Sequence, residues 1–326
     1  MRLGKRILSE FLRGVLLIVG VSLMAFILIT KAPIDPLTSY IGENSTLSQE
    51  TKDEISEYWG FNDPLPERFA NWAGRAIMGD LGDSVTYKRP VMEVIKERMM
   101  YSLALMLLAW VFSGVLGFLI GIVCGLHPGS LFDRIMKVFC LTMRCAPPFW
   151  LGLLFLTFFA VQLGWFPLGM AVPMGKLAAD VTLGDRLFHL VLPTLTLTVA
   201  NINEVVLYTR QELIETMNSD FILYARARGE STWQLVCRHL MRNIALPAIT
   251  VHFASFSELF GGMALAENVF SYPGIGTATT AAAMNADVPL LLGIALFSAI
   301  FVFAGNLIAN VLYGVFDPRI KEAEDE

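Results

Sequence analysis

Charge is what this chain has least of. Charged residues make up 16% of its 326 residues, against about 25% in ordinary soluble domains. The net charge is −5, so no global basic surface exists to hold nucleic-acid phosphates. Four cysteines (Cys124, Cys140, Cys145 and Cys237) show no C-x-x-C spacing, which argues against a disulfide framework or a zinc site. Histidines are equally few: His127, His189, His239 and His252. No G-x-x-x-x-G-K-[ST] phosphate loop occurs, so the chain carries no nucleotide-hydrolysing motif of its own. No Ser–His or His–Asp constellation stands at helical spacing, and an intramembrane enzyme has no support.

What is present in excess is apolar sequence, 55% of the residues. A bilayer core about 30 Å thick needs about 20 apolar residues in a helix. Six runs of that size are found: Ile7–Thr30, Met99–Leu126, Val138–Gly164, Leu187–Leu207, Ile244–Ala266 and Val288–Phe316. Helices are the expected form, because hydrocarbon satisfies no open sheet edge. The first run is too long for a signal-peptide core and lacks a small-x-small cleavage site, so it is expected to stay as a helix.

Six spans put both termini on one side. The short segments on that side carry Arg2, Lys5, Arg6, Arg134, Lys137, Arg210, Arg226, Arg228, Arg238, Arg242, Arg319 and Lys321. The opposite short loops offer Lys176 and Arg186. The positive-inside rule therefore places both termini in the cytoplasm. The chain divides into an N-terminus with the first helix (1–30), an external loop (31–98), a five-helix core (99–316) and a tail (317–326). In the external loop, Ser48–Tyr58 reads as a short helix, and Asn62-Asp63-Pro64 and Gly79-Asp80-Leu81-Gly82 read as turns. About 68 residues bury little core alone, so the loop is expected to pack on the membrane domain or a partner. Gly117, Gly121 and Gly125, four residues apart, predict a smooth stripe against which another helix packs closely.

The longest cytoplasmic segment, 210–243, is basic yet interleaved with Phe221, Ile222, Tyr224, Trp233, Leu235 and Val236. A solvated loop has no use for them. A helix docking on a membrane surface or in a groove of a partner does. Gly229 is expected to allow a sharp bend between two short helices, and Pro247 to open the next span.

Residues 220–250 read DFILYARARGESTWQLVCRHLMRNIALPAIT. The segment resembles the EAA coupling loop of bacterial ABC importer permeases of the dipeptide/oligopeptide/nickel branch, with Ala225, Arg226, Gly229, Arg238, His239, Arg242, Asn243 and Pro247 at the motif positions. The motif's glutamate is absent, Tyr224 standing near its place. Ala32–Pro36 (APIDP), Gly79–Ser84 (GDLGDS) with Pro90 and Val91, Glu267–Gly276 (ENVFSYPGIG) and Phe316–Arg319 (FDPR) resemble further signatures of the branch. Ser257–Gly276 looks most like the nickel permeases.

The resemblance implies an all-α polytopic membrane protein: six transmembrane helices in a type I ABC importer permease bundle, with a long external loop after the first helix. It implies a non-enzymatic subunit of an ATP-driven importer of nickel, metal chelates or short peptides, in the bacterial inner membrane. Its implied partners are a homologous second permease, two ATPase subunits that carry ATP and Mg, and a periplasmic or lipid-anchored binding protein. Asp220, Tyr224, Ala225, Arg226, Ala227, Arg228, Gly229, Arg238 and His239 are the expected ATPase-coupling residues. The alanines are expected to permit close backbone approach by the ATPase. No metal ligand set and no resident cofactor are expected in the chain.

Ionisable residues within the spans cost about 2.5–3.5 kcal/mol each to insert, so they face protein or water. Arg144, Asn201, Glu204 and Glu258 are candidates for the translocation path. Arg144 precedes Cys145-Ala146-Pro147-Pro148, where the helix should kink. Either these residues line a path for a charged or zwitterionic solute, or Arg144 and Glu204 pair to hold helices in register. The competing functional reading is an ATP-independent secondary transporter or channel for a small charged solute.

Overall fold

The computed structural model describes residues 2–31 and 63–316. The predicted Ser48–Tyr58 helix, the Ala32–Pro36 stretch and most of Phe316–Arg319 lie outside the described residues. The elements are α1 (Arg2–Thr30), α2 (Leu65–Ile77), β1 (Asp83–Ser84), β2 (Arg89–Pro90), α3 (Val91–Leu126), α4 (Leu131–Cys145) and α5 (Pro148–Phe155). There follow α6 (Leu183–Met217), α7 (Asp220–Ala227), α8 (Thr232–Leu235), α9 (Met241–Ala254), α10 (Phe256–Val269), α11 (Ile275–Met284) and α12 (Val288–Phe316). A π-helical turn extends α5 through Leu156–Gln162, and another joins α8 to α9 through Val236–Leu240. Among the described residues four helices are long and apolar enough to cross a membrane, and two bent pairs, each taken as one span, raise the number to six.

The bent pairs depart from the predicted spans. Val138–Gly164 is two helices, α4 and α5, meeting at 111°. Pro147 and Pro148 supply no N–H to the last turn of α4, so the ladder cannot continue across them. The fifth span starts at Met241, and Pro247 lies inside α9 rather than opening it. The 50° bend comes later, at Ser255, whose hydroxyl donates to the His252 carbonyl at 2.9 Å and competes with the helix ladder. The fourth helix outruns its predicted end at Leu207 by ten residues, because Thr209 and Leu213 keep an inward face buried.

The chain forms two compact units. One comprises Met1–Tyr101 with Pro273–Ala304, the other Ser102–Tyr272 with Gly305–Glu326. In the first, Phe26, Trp72 and Leu292 make a core with Phe69 and Ala73 packed against it, so α2 lies on α1 and α12. Of the segment after α1, α2 thus packs on the long apolar helices of this unit. The GDLGDS stretch is a clamp. Asp80 accepts from the Gly82 N–H at 2.9 Å. Ser84 Oγ donates to the buried Asp287 at 2.6 Å, and the Thr86 N–H donates to the same carboxylate at 2.9 Å. Asp287 in turn accepts from the Leu290 N–H at 3.2 Å and so caps α12. Ser84→Ala leaves this buried carboxylate short of one donor. A loss of about 1–3 kcal/mol is expected, read as a lowered Tm of the purified protein, with Ser84→Thr closer to the parent.

In the second unit α6 is buried along most of its length, from His189 to Leu213. The predicted glycine stripe is the reason it packs so closely on α3. A Cβ on Gly117, Gly121 or Gly125 would stand 2.9, 2.6 and 2.9 Å from Val205, Thr209 and Leu213. Only hydrogen fits in that space.

Candidate functional site

Residues 220–240 begin with two short helices, α7 and α8, set by residues suited to their ends. α7 closes with Gly229 at φ +85°. The Gly229 N–H donates to the Arg226 carbonyl at 3.0 Å and the Glu230 N–H to the Ala225 carbonyl at 3.3 Å, the paired bonds of a Schellman motif. Two residues on, Ser231 caps α8. Its Oγ accepts from the Gln234 N–H, and Gln234 Oε1 accepts from the Ser231 N–H at 2.8 Å, a full capping box. His239 Nε2 lies 3.0 Å from Glu230 Oε2 and ties the far end back to the bend.

Helical spacing then divides the interleaved apolar residues into two faces. Ile222, Ala225, Leu235, Val236 and Leu240 turn inward with Leu213 and Ile244, against Phe118 and Ile122. Phe221, Leu223, Tyr224 (67% exposed) and Trp233 (74% exposed) turn outward. Arg226, Ala227, Arg228 and Arg238 share the exposed set, with Asp220 in the exposed first turn of α7. One expectation is corrected. Ala225 is only 4% exposed and packs on its own chain, so it offers no backbone to a partner. The small side chain serves the close fit of α7 on the core. Gly229 is exposed, with open space around it. Phe221, Leu223 and Trp233 were absent from the expected site. The 3.6-residue period sets Leu223 and Tyr224 apart from Ile222 and Ala225, but Phe221, one turn before Ala225, is exposed without a signal from spacing.

Beneath the segment lies a buried ion pair that spacing did not reveal. Asp133, wholly buried in the first turn of α4, receives a fork from Arg210 of α6, at 2.5 Å from Nε and 2.9 Å from Nη2. The Gly129 N–H adds a third donor at 2.8 Å. Ser130 caps α4 through the Asp133 N–H. That S-x-x-D pattern after Pro128-Gly129 was the sequence signal. Leu213, on the same helix as Arg210 and three residues beyond it, belongs to the core that seats α7 and α8.

The structure brings two of the four path candidates together. Arg144 Nη2 lies 3.2 Å from Glu204 Oε1, between α4 and α6. Asn201, three residues from Glu204 on the same helix, donates to the Leu197 carbonyl at 2.8 Å and stays half-buried. Glu258, exposed in the first turn of α10, forms no ion pair among the described residues. His252 is a packing residue: its Nε2 lies 2.9 Å from the Trp110 carbonyl, and its ring stacks on Trp110 at 4.5 Å. Cys124 and Cys140 are buried, whereas Cys145 and Cys237 are exposed. Among the described residues no group of three or more His, Cys, Asp or Glu could hold a metal ion.

Residues 117–322 match the sequence family described as binding-protein-dependent transport system inner membrane component. The chain is 31% identical over 316 residues to the oligopeptide transport system permease protein AppB of Bacillus subtilis (strain 168), covering 97% of this chain and 98% of the relative. It is 31% identical over 317 residues to the di/tripeptide transport system permease protein DppB of Pseudomonas aeruginosa (strain UCBPP-PA14), covering 93% and 94%. Among solved structures it is similar to an inward-facing MetNI methionine ABC transporter. The TM-score is 0.52 at 14% identity, covering 69% of this chain and 97% of that one, a likeness of fold alone.

Proposed function

Since the chain belongs to the family of binding-protein-dependent transport system inner membrane components, it is the permease subunit of an ABC importer and a multi-pass inner-membrane protein; we propose that it imports short peptides and that residues 220–247 couple its motion to ATP hydrolysis in other subunits. Two ATPase subunits, carrying ATP and Mg, grip the outward face of α7 and α8. A homologous second permease completes the pathway, a periplasmic or lipid-anchored binding protein delivers the cargo, and both termini lie in the cytoplasm. One observation supports the coupling role above the rest. Phe221, Leu223, Tyr224 and Trp233 are exposed large apolar side chains, and Arg226 and Arg228 are exposed with them, on helices whose buried residues are seated in the chain's own core. Aromatic anchors of this kind carry most of the binding energy at protein interfaces. A handle that transmits force needs this combination: one face for a partner and one rigidly fixed at home.

Peptides are preferred as cargo because the relatives AppB and DppB are named as peptide permeases. Nickel or a metal chelate rests on the Ser257–Gly276 likeness only. The double variant Tyr224→Ala/Trp233→Ala is expected to lower capture of the ATPase subunits at least tenfold, since each anchor is worth about 2 kcal/mol or more. Its melting should not change, because both side chains lie outside the core. Capture at parental strength would refute the coupling role. Peptide uptake by the purified chain alone in vesicles would favour the ATP-independent reading, and uptake by the full complex of nickel instead of peptide would replace the cargo.

A further inference from the structure

Two ion pairs join α4 to α6, and they are built differently. Asp133 and Arg210 meet fork to fork, and the Gly129 N–H completes the buried carboxylate. Arg144 and Glu204 share a single contact of 3.2 Å, with their side chains 62% and 39% exposed. A guanidinium carries five N–H donors, and most of those on Arg144 meet no acceptor among the described residues. Both groups belong to segments apolar enough to cross a membrane. At about 1.5 Å per residue they stand about 16 Å and about 9 Å along their helices from the buried pair. Ions at such positions face protein or a water-filled cavity rather than lipid. The α4 break follows one residue after Arg144: Pro148 offers no N–H to the Arg144 carbonyl, while the Met143 carbonyl takes the Ala146 N–H in place of one from Pro147. Polar backbone and two half-satisfied ions of opposite sign therefore occupy one place.

We propose that Arg144 and Glu204 form a charge-exchange site for a zwitterionic cargo: Arg144 takes a terminal carboxylate, Glu204 takes a terminal ammonium, and the two bond each other when no cargo is present. This deepens the reading of the chain as a peptide permease and rests on it. The exchange is balanced. Each side chain trades one opposite charge for another, so no ion is left uncompensated as the cargo passes. A bare cation would engage Glu204 and strand Arg144. Planar two-point bonding to a carboxylate is what a guanidinium does best.

The test compares cargoes within one assembled complex, so that the binding protein's own preference cancels. Uptake of dialanine and of dialanine amide is measured in proteoliposomes holding both permeases, the ATPases and the binding protein, for the parent and for Arg144→Gln. The variant is expected to lose dialanine uptake tenfold or more and to import dialanine amide, a bare cation that strands Arg144 in the parent, at least as well as the parent does, with ATPase stimulation by loaded binding protein kept within twofold. Arg144→Lys, which retains charge without the fork, should show the same asymmetry at smaller size and serves if Arg144→Gln does not assemble. Equal losses for both cargoes would overturn the proposal. So would recovery of uptake by the exchange Arg144→Glu/Glu204→Arg, the result expected of a fixed bridge covered by the second permease. If the parent complex imports no dipeptide, the peptide reading itself fails and takes this site with it. If the parent imports dialanine and the losses are equal, only the site fails.

Discussion

Asp133→Ala is expected to be among the most damaging single substitutions in the chain. Asp133 is fully buried and Arg210 is nearly so, with the guanidinium held by both carboxylate oxygens. Removing one partner strands the other charge in a medium that cannot solvate it, at a cost of about 3–5 kcal/mol. A lowering of Tm on the order of ten degrees should follow. The effect should also reach α7 and α8. Arg210 fixes the C-terminal part of α6, and Leu213, three residues on, packs with Ile222 and Ala225. Asp133→Asn keeps the shape and one acceptor and should fall between parent and alanine. The double variant Asp133→Leu/Arg210→Met removes both ions together and should recover most of the lost stability, because the pair's net contribution is much smaller than the cost of breaking it. Thermal unfolding of the four purified proteins decides this. A Tm for Asp133→Ala within a degree of the parent would show that Arg210 finds another partner or water.

Much of the architecture was legible because a membrane imposes a coarse length rule. The clean runs at Met99–Leu126 and Val288–Phe316 appear as α3 and α12, and the all-α polytopic bundle of a type I importer permease is the fold found. The glycine stripe was legible for a similar reason: only close helix packing rewards three glycines four residues apart, and Val205, Thr209 and Leu213 fill the space they leave. What escaped was set by single residues acting over distance. Hydropathy treats Pro147-Pro148 as a kink, whereas the two missing N–H groups turn the chain through 111°. α11 has ten residues, too few to span a bilayer and so outside the length rule, yet Ala278 and Ala282 are buried. Asp133 and Asp287 sit in polar turns, where a carboxylate looks solvated. Their partners Arg210 and Ser84 lie 77 and 203 residues away. The inward turn of Ala225 escaped for another reason, since a motif shows which residues recur together and not which face each one takes.

Gly229 carries the sharpest consequence for coupling, because its requirement is purely one of backbone. No atom lies within 4 Å of where a Cβ would stand, so a side chain meets no clash. The obstacle is the φ of +85°, a left-handed conformation that costs an ordinary L-residue about 1–2 kcal/mol and disfavours β-branched residues further. That conformation lets the Gly229 and Glu230 N–H groups reach back to close α7 while Ser231 starts α8. Changing it would rotate one short helix against the other and alter how the exposed Tyr224 and Trp233 stand relative to each other. Substitutions should therefore rank by tolerance of the left-handed region, not by size. Gly229→Asn is expected to keep uptake within twofold of the parent, Gly229→Ala to reduce it severalfold, and Gly229→Val to reduce it tenfold or more. Through the series ATP hydrolysis by the assembled complex should fall less than uptake, since the ATPases still hold nucleotide when the handle between them and the gate is bent. Both rates are measured on the same proteoliposomes. A ranking by side-chain volume, with asparagine worse than alanine, would mean that the space around Gly229 is filled by the partner and that contact, not backbone geometry, is what the glycine protects.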